Sequence, residues 1–542
     1  DIFAENSNMR VPSFLFLLVI SFNSWSQNFE LSIEEVTLPN GPELQSFVVG
    51  QHDGKWLLLG GRTDGLHQRQ PFASFLAEDN NTVAYVVDPE NLQVWSNSIS
   101  ALPTPIYEQL QSTNMEFVQR DTVLYIIGGY GYSATANDHI THAYLTAVNV
   151  PSAIDNIIAG NSIAGNMRYL NNSNMAVTGG YLHLLGDVFY LVGGQYFEGR
   201  YNPMGPNHGP GFIQEYTDAI RTFEVTDDGS LLSISNFTET TDAANLHRRD
   251  YNMTPQIFPN GEYGLTAFSG VFRPDVDLPW HNSVDITSSG YTVNNNFDQL
   301  LSQYHSAHLP IYDQASNEMH TLFFGGIARY YYDQLGTLID DEDVPFVKTI
   351  SLVTRESNGD MTEQNLALQM PAFLGSGAEF IPVESVDYTN DEILNLNTLT
   401  NGEQTLVGYI YGGIESSQEN IFFINTGTQS WASNRLFKVY ITPSESTSIT
   451  ANSLSGDDVF KLQVFPNPAD EDATVCLSSK YLTEGTIEVF DSTGRVIRSI
   501  VVESIHSDHQ HFELNMANAN AGTYIVRFSN NSFYTSKKLV IK

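Results

Sequence analysis

The stretch DVFYLVGGQYFEGRYNPMGPNHGPG, residues 187–211, sets the reading of the whole chain. An apolar run ends on Gly193-Gly194, and a long loop of Tyr, Phe, Arg, His, Gly and Pro follows. A segment apolar at successive positions asks for burial on both faces. Glycines at its end let backbones come close and accept φ values that a side chain forbids.

The pattern recurs along the body. The runs are GKWLLLGG (54–61), TVLYIIGG (122–129), DVFYLVGG (187–194), YGLTAFSG (263–270), HTLFFGG (320–326) and LVGYIYGG (406–413). A strand-like run precedes each: QSFVVG, NMEFVQ, YLHLL, YNMTPQIF, AHLPIY and AEFIPV. Two more follow about a tight polar turn, as in VAYVVDPENLQVW, RTFEVTDDGSLLSI, ISLVTRESNGDM and FFINTGTQSW. Four strands per unit and six units, without helical periodicity, predict an all-β chain whose body is a six-bladed β-propeller, seven being the alternative count. Radial closure protects the sheet edges. Residues 28–38, NFELSIEEVTL, are expected to supply an outer strand that closes the ring. The glycine pairs, with Tyr85 and Trp95 downstream in the first unit, resemble kelch repeats. Spacings of 56 to 87 residues between the pairs exceed the roughly 50 of that family.

The C-terminus reads as a small antiparallel β-sandwich, with short alternating strands such as Ile487–Phe490 broken by Asp491, Ser492 and Gly494. The motifs VFPNPADEDATVCLSS, IEVFDSTGRVIRSI and AGTYIVRFSNNSFYTSKKLVIK resemble the type A sorting domain of the type IX secretion system. Pro466, Asn467, Pro468, Asp491, Gly494, Arg495, Gly522, Tyr524, Lys537 and Lys538 carry the resemblance, which covers about the last 84 residues. It implies export to the periplasm, interaction with the type IX translocon, and a final place outside the cell or on its outer surface.

At the other end, MRVPSFLFLLVISFNSWSQ (9–27) reads as a secretory signal: Arg10, an apolar core, then Ser24-Trp25-Ser26 as a cleavage site. The apolar run falls short of the roughly 18 residues a membrane span needs, and no other segment could span a bilayer. Asp1 to Asn8 are read as upstream translation. The expected division is thus 1–26 upstream residues and signal, 27–442 propeller, 443–458 Ser/Thr-rich linker and 459–542 sorting domain.

Formal net charge is −38, from 62 acidic and 24 basic side chains. Such a field repels nucleic acid and anionic membranes. The one cysteine, Cys476, permits no intrachain disulfide. Kelch-like copper oxidases need a cysteine cross-linked to tyrosine, and Cys476 lies in the sorting domain. The Asp-box of sialidases is absent, as are HExxH, GxxxxGK[ST] and GxSxG. No cofactor or metal is expected.

Loops after the second strand of each unit are long nearly everywhere, whereas those on the other face are mostly short. Binding residues sit on loops held by rigid scaffolds, so the long-loop face is the candidate site. Its expected ligand-binding residues are Arg62, His67, Tyr196, Arg200, Tyr201, His208, His247, Arg248, Arg249, Tyr251, Arg273, Trp280, His281, His305, His308, Arg329 and Tyr331. Aromatic faces with Arg and His donors suit a saccharide, or a carboxylate held by a guanidinium fork. The expected partner is a carbohydrate or a surface protein. Two alternatives stand beside it. One is a non-redox enzyme of lyase or epimerase type on polysaccharide or acidic sugar, using the same residues. The other is a structural or adhesive display protein.

Overall fold

The computed structural model describes residues 28–444 except 334 and 391, and 460–542 except 480–482, 492–494, 506–509, 518 and 530–533. The proposed signal lies outside the described residues, as does the proposed linker beyond Ser444; Pro443, its expected first residue, ends a strand instead. The chain forms two compact units divided between Ser444 and Glu445.

The larger unit is all-β apart from short helices. Six antiparallel four-stranded meanders follow one another. The first is Val48–His52, Lys55–Leu59, Val83–Asp88 and Gln93–Ser98. The sixth is Phe373–Pro382, Thr405–Ser416 and Leu436–Pro443, with Phe29–Val36 of the chain start as its fourth strand. Phe29 pairs with Pro443 and Val36 with Leu436. The second and third meanders join into one sheet through the short strand Asp138–Thr141, which pairs with the end of Val123–Ser133 and, at Ile140, with Glu198 of Val188–Glu198.

The last glycine of each run, including the fourth, where Ser269-Gly270 replaces the pair, reaches the entry of the next repeat. The amides of Gly61, Gly129, Gly194, Gly270 and Gly326 donate to the carbonyls of Ser112, Val177, Arg248, Gln303 and Leu374, and Gly413 donates to Leu44, all at 2.8 to 3.3 Å. The links therefore run from repeat to repeat and from the sixth back to the first. At Gly128 a Cβ would stand 1.9 Å from the Val177 carbonyl oxygen, at a φ of +66°. Close approach and left-handed backbone coincide there, which only glycine tolerates.

Second strands are apolar throughout because each faces two neighbours. Leu57 and Leu59 pack with Leu124 and Ile126 of the second repeat. Trp56 and Leu58 pack with Tyr409 and Tyr411 of the sixth. Other cores lie likewise between successive sheets.

Two readings need correction. FFINTGTQSW (422–431) is not the outer hairpin of the sixth repeat. Only Ser430–Ala432 is extended there, and Leu436–Pro443 and Phe29–Val36 take the outer positions. The segment VPSAIDNII is an α-helix, Val150–Ile158. Asn149 caps it by accepting from the Ser152 amide, and Val150, Ala153, Ile154 and Ile157 are its buried face. That i, i+3, i+4, i+7 spacing was readable in the sequence.

The smaller unit has two antiparallel sheets with one shared core. One sheet orders Phe460–Phe465, Asp472–Ser479 and Gln510–Asn515. The other orders Val496–Ile505, Thr483–Phe490, Gly522–Ser529 and Tyr534–Ile541. Val475, Leu477 and Leu514 of the first meet Ile487, Val526, Phe528 and Leu539 of the second.

Candidate functional site

Six equivalent residues stand two places before the first-strand partner of each pre-glycine position: Ser46, Asn114, Gly179, Asp250, His305 and Gly377. Their backbones are linked in a circle. Asn114 donates to Ser46, Ser46 to Gly377, Gly377 to His305, His305 to Asp250 and Asp250 to Gly179. The last gap is bridged by the Thr178 hydroxyl, which donates to the Asn114 carbonyl at 3.0 Å. Five of these residues, Ser46, Asn114, Gly179, Asp250 and His305, line two cavities in common.

The larger cavity, about 780 Å³, is walled by the long loops. It brings together Arg62, His67, Tyr201, His247, Arg249, Arg273 and His305 from the expected set. The smaller, about 430 Å³, lies further along the first strands and takes in Tyr251, His305 and His308. Tyr196, Arg200, His208, Arg248, Trp280, His281, Arg329 and Tyr331 line neither.

Arg248 and Arg249 differ because consecutive residues of extended chain point to opposite sides. Arg248 turns inward and is 1% exposed. Its guanidinium donates to the carbonyls of Asn245, Ser269 and Asn282 and to the Asn282 side chain, 4.7 Å over the Trp280 ring. Trp280 is itself buried, its indole N–H donating to the His247 carbonyl at 2.8 Å. Arg249 turns into the cavity. Its Nε donates to the Tyr216 hydroxyl at 2.8 Å and its Nη1 to the Asp250 carboxylate at 2.7 Å. Nη2 has no acceptor among the described residues. Burial alone works against this charge, but the Tyr216 oxygen and the Asp250 carboxylate offset it and raise the pKa.

Around this guanidinium the Tyr216 ring stacks on His247 at 3.7 Å, and Asp218 holds the His247 Nδ1 at 2.7 Å. Asp250 accepts from Asn114 at 3.0 Å. His67 packs edge-on to Tyr201 at 4.8 Å, and its buried Nδ1 has no hydrogen-bond partner among the described residues. Burial lowers its pKa to about 4, so the ring is neutral near pH 7. Tyr304 keeps its proton because burial raises its pKa. Arg62 is committed to its own loop, donating to Asp64 at 2.6 and 2.8 Å and to Asn80 at 2.9 Å.

Elsewhere on this face Arg329 is held by Asp340 at 2.5 and 2.8 Å, and Arg200 donates to the Phe72 carbonyl at 2.7 Å. His208 is exposed. The Tyr196 hydroxyl donates to Glu198 at 2.5 Å, and the His281 ring lies 5.4 Å from Tyr330. Tyr331 pairs with Ile339 in a surface hairpin.

Several cavity residues escaped the sequence reading. Glu116 and Glu379 occupy the same position in two first strands, within Met-Glu-Phe and Ala-Glu-Phe, and an acid inside an apolar run was the available signal. Glu379 lies 3.2 Å from His305. Burial alone would lower the His305 pKa, and the Glu379 charge raises it instead. Tyr181 and His183 stack at 5.7 Å, with Glu392 3.3 Å from His183. Glu392 comes from the long segment of the sixth repeat, which folds back so that Leu394 pairs with Ile311. Among the described residues no group of three or more His, Cys, Asp or Glu could hold a metal ion. No helix among them is long and apolar enough to cross a membrane.

In the smaller unit Asn467 bridges to the last strand, donating to the Lys538 carbonyl at 2.6 Å and accepting from the Val540 amide at 3.0 Å. Tyr524 donates to the Asn520 carbonyl at 2.7 Å, and the Arg495 amide donates to Asp491 at 3.2 Å. Gly522 pairs with Ile541, and Val526 and Ile525 with Lys537 and Lys538. Pro466 and Pro468 flank Asn467, and Gly494 lies outside the described residues.

Residues 463–542 match the family described as "Secretion system C-terminal sorting domain". The protein is therefore secreted or held at the cell surface, by the type IX route of Gram-negative Bacteroidetes. No curated protein matches the chain. Among solved structures, "Structure of YjhT" is similar at 10% identity and a TM-score of 0.41, covering 74% of this chain and 97% of that one. A fungal alcohol oxidase of the AA5 family, in complex with copper, is similar at 10% identity and a TM-score of 0.35, covering 95% and 100%.

Proposed function

We propose that this secreted or cell-surface chain presents a six-bladed, kelch-like propeller whose long-loop cavity binds a saccharide bearing a carboxylate. The circle of hydrogen bonds through Ser46, Asn114, Gly179, Asp250, His305 and Gly377, five of them between backbones and the sixth from the Thr178 hydroxyl, supports six-fold closure. The binding reading is carried by Arg249. It is a cation inside a cavity of about 780 Å³, fixed by Tyr216 and Asp250, with one nitrogen left unpartnered. A guanidinium held in this way meets a carboxylate with little further ordering. Tyr201, Tyr304 and the neutral His67 supply apolar faces with polar edges, which suit a sugar ring.

The test is calorimetric titration of the full chain with galacturonate, glucuronate and their neutral hexose counterparts. The uronates are expected to bind more tightly than the neutral sugars, and Arg249→Gln to remove that preference with the fold retained. Equal binding of both classes, or unchanged uronate binding by Arg249→Gln, refutes the reading. Turnover of the bound sugar under the same conditions would make the site catalytic.

A further inference from the structure

The wall of this cavity does not stop at its mouth. From Tyr201, His67 packs at 4.8 Å, Phe422 lies 5.8 Å beyond His67, and Phe423 lies 5.2 Å beyond Phe422. Successive rings meet edge-on or nearly so, which is a favourable geometry. The series starts at the half-buried Tyr201 and His67 and ends on a ring that is 55% exposed. Phe423 still lines the cavity. Its neighbour Ile424 is 51% exposed.

The outer end carries a second cation. The Arg69 guanidinium lies 4.8 Å over the Phe423 ring. It has no carboxylate within ion-pair distance among the described residues, whereas Arg62 and Arg329 are both held by acids. The backbone beneath is fixed. Arg69 N–H donates to the Asn425 carbonyl at 3.1 Å, and Asn425 donates to the carbonyls of Leu66 and His67 at 2.7 and 3.0 Å. In so acidic a chain, an exposed aromatic ring beside a guanidinium with no acidic partner places a second cation at the rim, beyond Arg249, which Asp250 holds.

Resting on the reading of Arg249 above, we infer that the ligand is an acidic oligosaccharide. One uronate unit sits at Arg249, and a neighbouring unit lies on Phe423 with its carboxylate toward Arg69. A monosaccharide would fill the floor and leave this rim unused, whereas a polymer runs out along the aromatic wall. Effective concentration then strengthens binding, because the second contact is made by an already tethered unit.

Titration of the full chain with uronate monomers, dimers and tetramers tests this, with galacturonate and mannuronate series as probes. Affinity is expected to rise about ten-fold from monomer to tetramer. Phe423→Ala and Arg69→Gln are each expected to lower tetramer binding to the level of the monomer, and Arg249→Gln to remove both. Both positions are at the surface, and a thermal melt of each variant checks its fold. Equal affinity for all lengths overturns the inference while the Arg249 site stands. A length dependence that survives Phe423→Ala and Arg69→Gln overturns it too. Failure of every uronate to bind overturns it together with the site reading.

Discussion

The Gly413 amide donates to the Leu44 carbonyl at 2.9 Å, which ties the sixth repeat of the larger unit back to the first. The same contact joins every neighbouring pair, so the glycine pairs are joints between sheets rather than simple strand ends.

Substitution at a joint should cost more than substitution at a turn. Gly128→Ala places its Cβ 1.9 Å from the Val177 oxygen, whereas Gly54→Ala meets nothing within 4 Å, at similar φ values of +66° and +71°. Both pay about 1 to 2 kcal/mol for left-handed backbone. Gly128→Ala must also displace a main chain, so its unfolding free energy is expected to fall further by about 2 kcal/mol or more. Parallel denaturant melts decide it, and equal losses would contradict the joint.

The neighbours Arg248 and Arg249 should separate stability from binding. Arg248→Met strands the carbonyls of Asn245, Ser269 and Asn282 and is expected to cost on the order of 3 kcal/mol. Arg249→Gln is expected to cost far less and to lose the ligand. Thermal melts and titrations of the two variants check the division.

Acid should weaken the larger unit through its neutral histidines. His142 and His320 are 2% and 4% exposed, and burial lowers each pKa to about 4. Between pH 6.5 and about 4 the unfolded chain takes up protons at these sites and the folded chain does not. Stability therefore falls as pH falls through that window, by up to about 3 kcal/mol per group. In His142→Leu the melting temperature should depend less steeply on pH across it. An unchanged slope would show that His142 does not contribute.

In the smaller unit Asn467→Ala removes the two hydrogen bonds to Lys538 and Val540. The last strand should loosen by about 1 to 2 kcal/mol. Amide exchange over 534–541 is expected to quicken, and unchanged protection there would remove Asn467 from that role.

Sequence alone settled the local facts. Six apolar runs ending in glycine, each with a strand-like run before it, determined where the buried strands lie. Period and composition carry that information within a few residues. The helix Val150–Ile158 was equally local, and its helical spacing was passed over because the repeat suggested only strands. The sorting motif was readable because it is contiguous. Pairing between distant segments was left to the tertiary structure. Leu436–Pro443 with Phe29–Val36, and not FFINTGTQSW, complete the sixth sheet, since a free strand edge accepts any strand brought beside it. Adjacent arginines looked alike on paper, but the bonds of their backbones to Gly194 and Val271 turned Arg248 inward and Arg249 toward the cavity. Which side chains share a cavity depends on how loops far apart in sequence come together, and no window of sequence contains that.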